Sequence, residues 1–484
     1  MISAIITQML VSQALFAKAY GWSGNEYGYS VEPTADGGFA LAGRTNSYGA
    51  GNDDFLFIKV SPDGTIQWTR VYGGGGYDYC QAVNQTTDMG YVMAGYSYSY
   101  LSYHTLVIKT SSDGTVDWAK AYDVYPVWWV SFTGFLCATS DGGFIFHGNQ
   151  SDIDVVKLSS GGSVQWARRI RGANEDCSAQ VIQTSDGGYV VVGHTASWGS
   201  GPSDCIVIKM ASDGTVQWAR VYGGPSYEYG KSVAELANGD LVVVGYTGTF
   251  NPNDDILVLR ISGTDGSLIW GRAFDAGGNE RASYVVPTAD GCVAIQASGY
   301  YLKMDLNGNL IWAKRGALSG GYSAATSANG DIVFFGYASP NNTDFGLLRV
   351  GLDGNYPSCL FNWSPTQINA AVNSSPITVG EVITVSSIDV SPETYTPNLV
   401  TTNLCAPVDA GETEPDNIVP QVLCSHTTGG LIFLSRTRIW FRLYAPDGRL
   451  SYCGELKEGE TRIPLGQGVY LWQAGPYKGK AVVR

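Results

Sequence analysis

Short apolar runs separated by polar turns dominate the first 355 residues of the chain. The first complete unit reads "YGYSVEPT" (27–34), "FALAGRT" (39–45), "FLFIKV" (55–60) and "TIQWTRVY" (65–72). Asp36-Gly37 and Asp63-Gly64 stand between consecutive runs. Asp-Gly between apolar runs is typical of β-hairpins, because both residues tolerate positive φ. The pattern therefore predicts four short antiparallel strands in about 50 residues.

The same unit recurs along the chain. The twelve residues "DGTIQWTRVYGG" (63–74) return almost unchanged as "DGTVQWARVYGG" (213–224). The turn after each first strand carries an Asp or Asn, namely Asp36, Asp88, Asp141, Asp186, Asn238, Asp290 and Asn329. Each fourth strand carries an aromatic residue, namely Phe16, Trp68, Trp118, Trp166, Trp218, Trp270 and Trp312. Two interleaved series at a period of about 50 residues indicate a repeat array of propeller blades.

The two ends of the array predict how it closes. The chain opens with a fourth-strand sequence, "LFAKAYG" (15–21), and no blade precedes it. The last unit has only three strands before the pattern stops. The orphan strand can complete that blade, which leaves no long unpaired edge. We therefore predict an all-β fold in which residues 15–355 form a seven-bladed β-propeller closed by the N-terminal strand.

One segment carries a family resemblance. "DGGYVVVGHT…DCIVIKMASDGTVQWARVYGG" (186–224) resembles the repeats of secreted bacterial β-propeller proteins of unassigned function. The resemblance extends over residues 14–355. It implies the propeller fold and assigns no activity.

The composition changes after Gly354. Residues 350–423 contain no Lys or Arg and are rich in Ser, Thr, Pro and Val, which predicts an extended spacer or a few strands over 356–423. An acidic linker, "DAGETEPDN", occupies 409–417. Residues 424–484 carry nine Lys or Arg against four Asp or Glu and alternate in polarity, which predicts a small β-sandwich.

The tail also carries a resemblance. "FRLYAPDGRL", "IPLGQGVYLWQ" and "GKAVVR" are similar to strands of the C-terminal sorting domain of type IX secretion cargo. The Pro-Asn-Pro usual near the start of that domain is absent. The resemblance implies a secreted or cell-surface protein whose partner is the type IX machinery. The alternative is a generic small β-sandwich.

The N-terminus bears on export as well. "MISAIITQMLVSQALFAKAY" has an apolar centre but no basic residue before it, and residues 1–14 are the part that a signal peptide would occupy. No apolar run reaches the ~18 residues of a membrane span. In an exported protein, Cys359 with Cys405 and Cys424 with Cys453 could form disulfides.

The net charge of the chain limits the classes of partner that it can bind. The formal net charge is −14, whereas nucleic acids and anionic membranes require a basic surface. We therefore expect neither partner, and we expect a monomer.

Most basic residues of the array fall in two structural series. The third strands carry Lys59, Lys109, Lys157, Lys209, Arg260, Lys303 and Arg349. The fourth strands carry Lys18, Arg70, Lys120, Arg168, Arg220, Arg272 and Lys314. We expect these residues to bury their stems along the blades with neutralised heads, and the tryptophans to fill the gaps between blades.

Carboxylates define the candidate site. Five of the seven first strands begin with one, namely Glu26, Asp78, Asp176, Glu228 and Glu280. A second series stands at the start of the third strands, namely Asp54, His104, Asp152, Asp204, Asp255, Ser298 and Asp344. The first series should surround the mouth of the central channel. Each carboxylate either caps its own loop or helps to form a cation site, for which Ca²⁺ suits an oxygen-rich loop.

Trp128 and Trp129 interrupt the repeat in the third unit, within "DVYPVWWVSF" (123–132). They fall on the same face as the carboxylates. They either stack on carbohydrate or fill the space that the shorter third blade leaves.

Enzyme signatures are lacking: the four histidines form no H-E-x-x-H, and there is no G-x-S-x-G or P-loop. No catalytic residue or cofactor is assigned, apart from the candidate Ca²⁺. The sequence favours an exported, non-enzymatic propeller for binding or display at the cell surface, and it does not identify the ligand, for which a glycan or another surface ligand is the candidate. The alternative is a propeller glycoside hydrolase or lyase, which would need two carboxylates in different environments.

Overall fold

In the computed structural model, residues 15–354 are described except for 101–102, 126–133, 150 and 340–342. After residue 354 the structure describes the strands given below and the residues 365, 370, 372 and 377 beside them. All regular elements of the described chain are β-strands.

Twenty-eight of these strands form seven blades of four. The N-terminal strand is β1 (Ala17–Gly21). Blade 1 consists of β2 (Glu26–Pro33), β3 (Phe39–Thr45), β4 (Asp54–Val60) and β5 (Ile66–Gly73). Blade 2 consists of β6 (Asp78–Gln85), β7 (Tyr91–Ser97), β8 (His104–Thr110) and β9 (Val116–Tyr122). Blade 3 consists of β10 (Leu136–Ala138), β11 (Phe144–Asn149), β12 (Ile153–Leu158) and β13 (Val164–Ile170).

The remaining blades follow the same plan. Blade 4 consists of β14 (Asp176–Gln183), β15 (Tyr189–Thr195), β16 (Asp204–Met210) and β17 (Val216–Gly223). Blade 5 consists of β18 (Glu228–Glu235), β19 (Leu241–Thr247), β20 (Asp255–Ile261) and β21 (Leu268–Asp275). Blade 6 consists of β22 (Ala282–Pro287), β23 (Val293–Ala297), β24 (Tyr300–Met304) and β25 (Leu310–Gly316). Blade 7 consists of β26 (Gly320–Thr326), β27 (Ile332–Ala338), β28 (Asp344–Val350) and, as its fourth strand, β1.

The prediction of a closed seven-bladed ring is confirmed. Strand β1 pairs antiparallel with β28, with Ala17 opposite Leu348 and Tyr20 opposite Phe345. The first strands of successive blades contact one another around the whole ring, from β2 through β6, β10, β14, β18 and β22 to β26 and back to β2. These strands therefore line the centre of the propeller.

A second ring of strands lies outside the first. Seven short strands follow Gly354: β29 (Leu360–Asn362), β30 (Thr366–Asn369), β31 (Asn373–Pro376), β32 (Glu381–Val382), β33 (Ser387–Asp389), β34 (Glu393–Tyr395) and β35 (Val400–Asn403). They pair in turn with the fourth strands of blades 6, 5, 4, 3, 2, 1 and 7, and each adds a fifth, outermost strand. We call this segment the belt.

The belt contributes to the core where its side chains are described. Ala370 and Val372 are 5% and 7% exposed and pack among apolar residues of blades 4 and 5. The sequence indicated an extended spacer or a few strands here. The structure shows that the strands between Leu360 and Asn403 are part of the blade sheets, and the first compact unit extends to Leu404.

Side chains of the fourth strands tie each blade to the next. The Trp118 indole N–H donates to Ser160 O at 3.2 Å and Trp218 to Gly263 O at 3.1 Å, in each case a turn of the following blade. The Tyr20 hydroxyl likewise donates to Gly64 O at 2.7 Å. These bonds support the prediction that the aromatic series of the fourth strands is structural.

The third-strand cations are neutralised, as predicted. Each pairs with an acid of its own first hairpin: Lys59 with Asp36, Lys109 with Asp88, Lys157 with Asp141, Lys209 with Asp186, Arg260 with Asp240, Lys303 with Asp290 and Arg349 with Asp331. The Lys157 side chain is 2% exposed. Such a buried ammonium requires an anionic partner.

Residues Cys405–Arg484 form the second compact unit of the chain. Its strands are β36 (Val422–Thr427), β37 (Gly430–Ser435), β38 (Ile439–Tyr444), β39 (Leu450–Leu456), β40 (Gly459–Pro464), β41 (Gly468–Ala474) and β42 (Tyr477–Val483). They form an antiparallel three-stranded sheet, β36-β37-β40, and a four-stranded sheet, β39-β38-β41-β42. Strands are present as expected, while the β-sandwich and the sorting role stay predictions.

Candidate functional site

The five first-strand carboxylates lie at one end of the innermost strands, but they are buried. Their exposed fractions are 0% for four of them and 2% for Glu280. Because the side chains do not reach solvent, they do not form an open ring of charge at the channel mouth.

Hydrogen bonds within the surrounding loops occupy these carboxylates. Glu26 accepts from the backbone N–H of Trp22 at 2.9 Å, from the Thr45 hydroxyl at 2.8 Å and from the Ser47 hydroxyl at 2.5 Å. The equivalent carboxylates of blades 4 and 5 accept the same kinds of bond. Asp78 accepts from Gly74 N–H and Ser99, and Glu280 accepts from Ala276 N–H. The geometry thus favours loop capping for this series.

The third-strand acids lie beside them. Asp204 and Asp344 are buried, and each has an oxygen, Oδ1, with no hydrogen-bond partner among the described residues. Burial and then the charge of Glu26 raise the pKa of Asp344 to about 6. Carboxylates in such pairs favour a shared proton or a bound cation.

Aromatic side chains cluster at this end. Six tyrosines from blades 7, 1 and 2 form two groups of ring contacts that Arg44 bridges, and we call them the tyrosine arc: Tyr322, Tyr337, Tyr27, Tyr29, Tyr79 and Tyr96. Tyr29 is buried, and the other five are partly exposed. Centroid separations within the arc run from 4.5 Å for Tyr79 and Tyr96 to 5.9 Å for Tyr322 and Tyr337. Tyr77 and Tyr98 extend the arc outward and are 43% and 39% exposed.

Arg44 joins the two sides of the arc. Its guanidinium lies 4.3 Å from the ring centroids of both Tyr27 and Tyr79. Its Nε donates to the Tyr29 hydroxyl at 3.0 Å, and one terminal nitrogen pairs with Asp53 at 3.1 Å. Cation–π contacts and an ion pair hold this planar donor group in one orientation.

A β-bulge helps to direct these residues. The register of the first strand shifts between Gly28 and Ser30, so Tyr29 is the extra residue of a bulge. The same bulge places Lys231 in blade 5 and Tyr322 in blade 7. A bulge re-aims a side chain without breaking the sheet.

Blades 5 and 6 carry a second cationic and aromatic group. Lys231 lies 5.5 Å from the Tyr246 centroid, and Arg281 lies 4.8 Å from the same ring. Burial, and then the positive charge of Arg281, lower the pKa of Lys231 to about 7. Arg281 also pairs with Asp254 at 2.5 Å. The group thus repeats the guanidinium, carboxylate and tyrosine set found around Arg44.

One carboxyl lies further along the first strand. Glu32 is half-buried and accepts from Asn84 Nδ2 at 3.3 Å. Burial raises the pKa of Glu32 to about 7. Its charge acts on Cys137 and Tyr284, residues of the first strands of blades 3 and 6, so it lies near the centre of the ring.

Comparisons with known proteins identify no family. No family model matches the chain, and no curated protein matches it. Solved structures that it resembles include a protein of unknown function from Bacteroides caccae (TM-score 0.38, 11% identity, 57% of this chain and 94% of that one) and the Dos1 propeller (0.42, 9%, 71% and 89%). Another is the extracellular domain of a one-component system from B. thetaiotaomicron (0.38, 12%, 97% and 57%). Likeness at this level carries no functional argument, and the fold rests on the strand pairing.

Several predicted features lie outside the described residues. These are Trp128, Trp129, the signal-peptide segment 1–14 and the linker 409–417. Cys359 and Cys405 also lie outside them, and the side chains of Cys424 and Cys453 are not described, so both disulfides stay predictions. No helix in the described part of the chain is long and apolar enough to cross a membrane.

Sequence reasoning missed the tyrosine arc and Glu32. The signal for the arc was present, because a Tyr directly follows the carboxylate at Glu26, Asp78 and Glu228. The repeated pattern pointed to the carboxylate, which is buried, and not to the tyrosine beside it, which is partly exposed. Glu32 carries no comparable local signal.

Proposed function

We propose that this protein is an exported, non-enzymatic binding module whose ligand contacts the tyrosine arc. The orientation of Arg44 between Tyr27 and Tyr79, with its outer nitrogen on Asp53, is the observation that supports this proposal most strongly. A guanidinium beside several aromatic faces offers both stacking surface and directed donors to a ligand.

Blade packing alone does not explain the composition of this region. Where packing sets the residue, the chain repeats one type, as the fourth-strand tryptophans show. The residue that follows each first-strand carboxylate instead varies: Tyr27, Tyr79, Cys177, Tyr229 and Arg281. Such variation at one structural position is expected where individual blades contact a ligand.

A glycan is the ligand class that these groups suit best. Tyrosine faces pack against the C–H face of a sugar ring. Asp53 and Asp254 hold the guanidinium groups of Arg44 and Arg281 in place, and these present fixed donors at either side, which suit hydroxyl groups.

A glycan array probed with the full-length protein tests the proposal. We expect binding to a defined set of glycans, and a loss of about tenfold or more for Tyr77→Ala combined with Tyr98→Ala, since each ring contributes about 0.5–1.5 kcal/mol. Ile269→Ala, which removes a side chain that is 47% exposed on an outer strand, is the control and should bind normally. Equal binding by the double variant and the wild type would refute contact between the ligand and the exposed rings that extend the arc.

Glu32 supports a second candidate function, a propeller glycoside hydrolase or lyase. A carboxyl with a pKa of about 7 is suited to act as a general acid. Incubating any bound glycan with the protein and analysing the products distinguishes the two. Cleavage that Glu32→Gln abolishes would favour the enzyme.

For localisation we propose the cell surface or the medium, reached through type IX secretion. The proposal is supported by the strand-and-turn sequence of residues 424–484 and its resemblance to sorting domains.

A further inference from the structure

One cross-strand position differs in charge from blade to blade. This position is the pair formed by the residue at the start of the third strand and the residue opposite it at the end of the fourth strand. In blades 1 to 7 the pairs are Asp54 with Gly73, His104 with Asp123, Asp152 with Arg171, Asp204 with Gly223, Asp255 with Asp275, Gly299 with Gly316 and Asp344 with Gly21. Only in blade 5 does an acid face an acid.

In two other blades the paired side chains contact each other. His104 contacts Asp123 at 2.9 Å, and Arg171 contacts Asp152 at 2.9 Å. Where glycine stands opposite an acid, the carboxylate of that acid occupies the space that a Cβ would need, because a Cβ at Gly223 would lie 1.3 Å from Asp204 Oδ1. In blade 5 the fourth-strand residue is Asp275. The side chain of a second acid therefore enters the space that the third-strand acid fills in the blades with glycine.

Glu280 completes the group. One carboxylate oxygen from each of Asp255, Asp275 and Glu280 lies within 4.8 Å of the other two. Asp255 is 0% exposed and Glu280 is 2% exposed, while Asp275 is half-buried and gives access from solvent. The nearby guanidinium of Arg281 is engaged by Asp254.

The burial of Asp255 is a second, separate observation. Its Oδ2 accepts from Asn251 Nδ2 at 2.8 Å, whereas its Oδ1 is buried with no hydrogen-bond partner among the described residues. A buried carboxylate oxygen without a donor is costly unless a proton or a cation binds it. With two more carboxylates alongside, a cation compensates the charge better than a single proton does.

We propose that Asp255, Asp275 and Glu280 bind one divalent cation, Ca²⁺, at the junction of blades 5 and 6. All the protein donors are oxygens, which Ca²⁺ prefers, and its variable coordination accepts water for the remaining ligands. The absence of His and Cys from this group makes Zn²⁺ and copper poor candidates. The site is distinct from the tyrosine arc and does not depend on the proposed glycan binding.

Asp275→Gly is the decisive variant, because glycine is the residue found at this position in blades 1, 4, 6 and 7. Full-length protein freed of metal with a chelator is titrated with CaCl₂ by calorimetry, and its melting temperature is measured with and without millimolar Ca²⁺. We expect one site in the wild type and a melting temperature raised by several degrees. The variant should lose both the binding and the increase. Without calcium it should melt no lower than the wild type, because the repulsion is gone.

Asp123→Gly is the matched control, since it removes an acid from the same position of blade 2. It should retain both the calcium binding and the thermal shift. A wild type that neither binds Ca²⁺ nor gains stability from it would overturn the proposal. So would a calcium response that survives in Asp275→Gly.

Discussion

Each blade depends on an acid in its first hairpin that neutralises a buried third-strand cation. Asp141 contacts Lys157 at 2.8 Å and also accepts bonds from Thr139 and Gly143 of its own turn. In blades 5 and 7 the turn position is Asn238 or Asn329, and the acid stands two residues later, at Asp240 or Asp331, where an Arg reaches it. The acid thus stands at a different sequence position in these two blades, but it forms the same kind of ion pair.

Asp141→Asn should therefore destabilise the propeller. The amide retains an oxygen for the turn, so the main loss is the ion pair of the buried Lys157. We expect a loss of about 1–3 kcal/mol in the free energy of unfolding, since Asp141 is itself half exposed. Chemical denaturation measures it. Asp213→Asn is the control, because Asp213 accepts a hydrogen bond within its own exposed turn, and this substitution should destabilise the protein much less. Equal losses in the two variants would contradict the importance of the pair.

The same pairs set a pH dependence. Lys109, Lys157 and Lys209 hold the pKa of Asp88, Asp141 and Asp186 at about 2, below the usual value of 3.8. Groups with a depressed folded-state pKa stabilise the protein fully above about pH 4 and lose that contribution as the pH falls towards 2. In Asp141→Asn, the fall in stability between pH 4 and pH 2 should be smaller than in the wild type.

Among the strands, the short β1 is especially important for stability because it closes the ring. It pairs with β28 on one side and with β35 of the belt on the other, and it contributes the buried residues Ala19 and Tyr20. Without it, blade 7 would expose the edge of β28, and unpaired edges promote aggregation.

Deletion of residues 1–21 should thus cause aggregation or a large fall in melting temperature. Loss of buried Tyr20 by itself is comparable to a large-to-small core substitution, about 3–5 kcal/mol. Deletion of residues 1–14 is the control, because it leaves β1 in place and should melt like the full-length protein. Thermal unfolding scans measure the melting temperatures of both deletion variants. An unchanged melt for the longer deletion would mean that β1 does not close the ring.

At the scale of the whole molecule, the chain consists of two compact units. The propeller unit carries the tyrosine arc and the acidic group of blades 5 and 6. The C-terminal unit carries an excess of basic residues over residues 424–484, and its sequence resembles a sorting domain.

Residues 424–484, fused to a reporter with a signal peptide, should carry it to the surface or the medium in a host with type IX secretion. The same fusion lacking β42 (Tyr477–Val483) should remain in the periplasm, because the resemblance includes that final strand. Cell fractionation measures both. Retention of the complete fusion in the periplasm would contradict the sorting role.

The sequence by itself determined the blade count, the strand pattern and the closure by β1. Those features are local, because hydrophobic periodicity and Asp-Gly turns specify each hairpin. The same pattern recurs in all seven units, so the structure predicted for one unit applies to the others. It also placed the tryptophans and third-strand cations correctly as structural, since a packing role repeats in every blade.

Tertiary structure decided what the acids do and where the belt lies. Glu26 and its equivalents have the same local sequence whether they face solvent or not, and only the neighbouring loops show that they are buried caps. Asp255, Asp275 and Glu280 meet because strand pairing joins the first two and blade packing brings the third. The belt pairs with blades that lie far from it in sequence, and such backbone pairing with outer edges leaves little trace in the side-chain pattern.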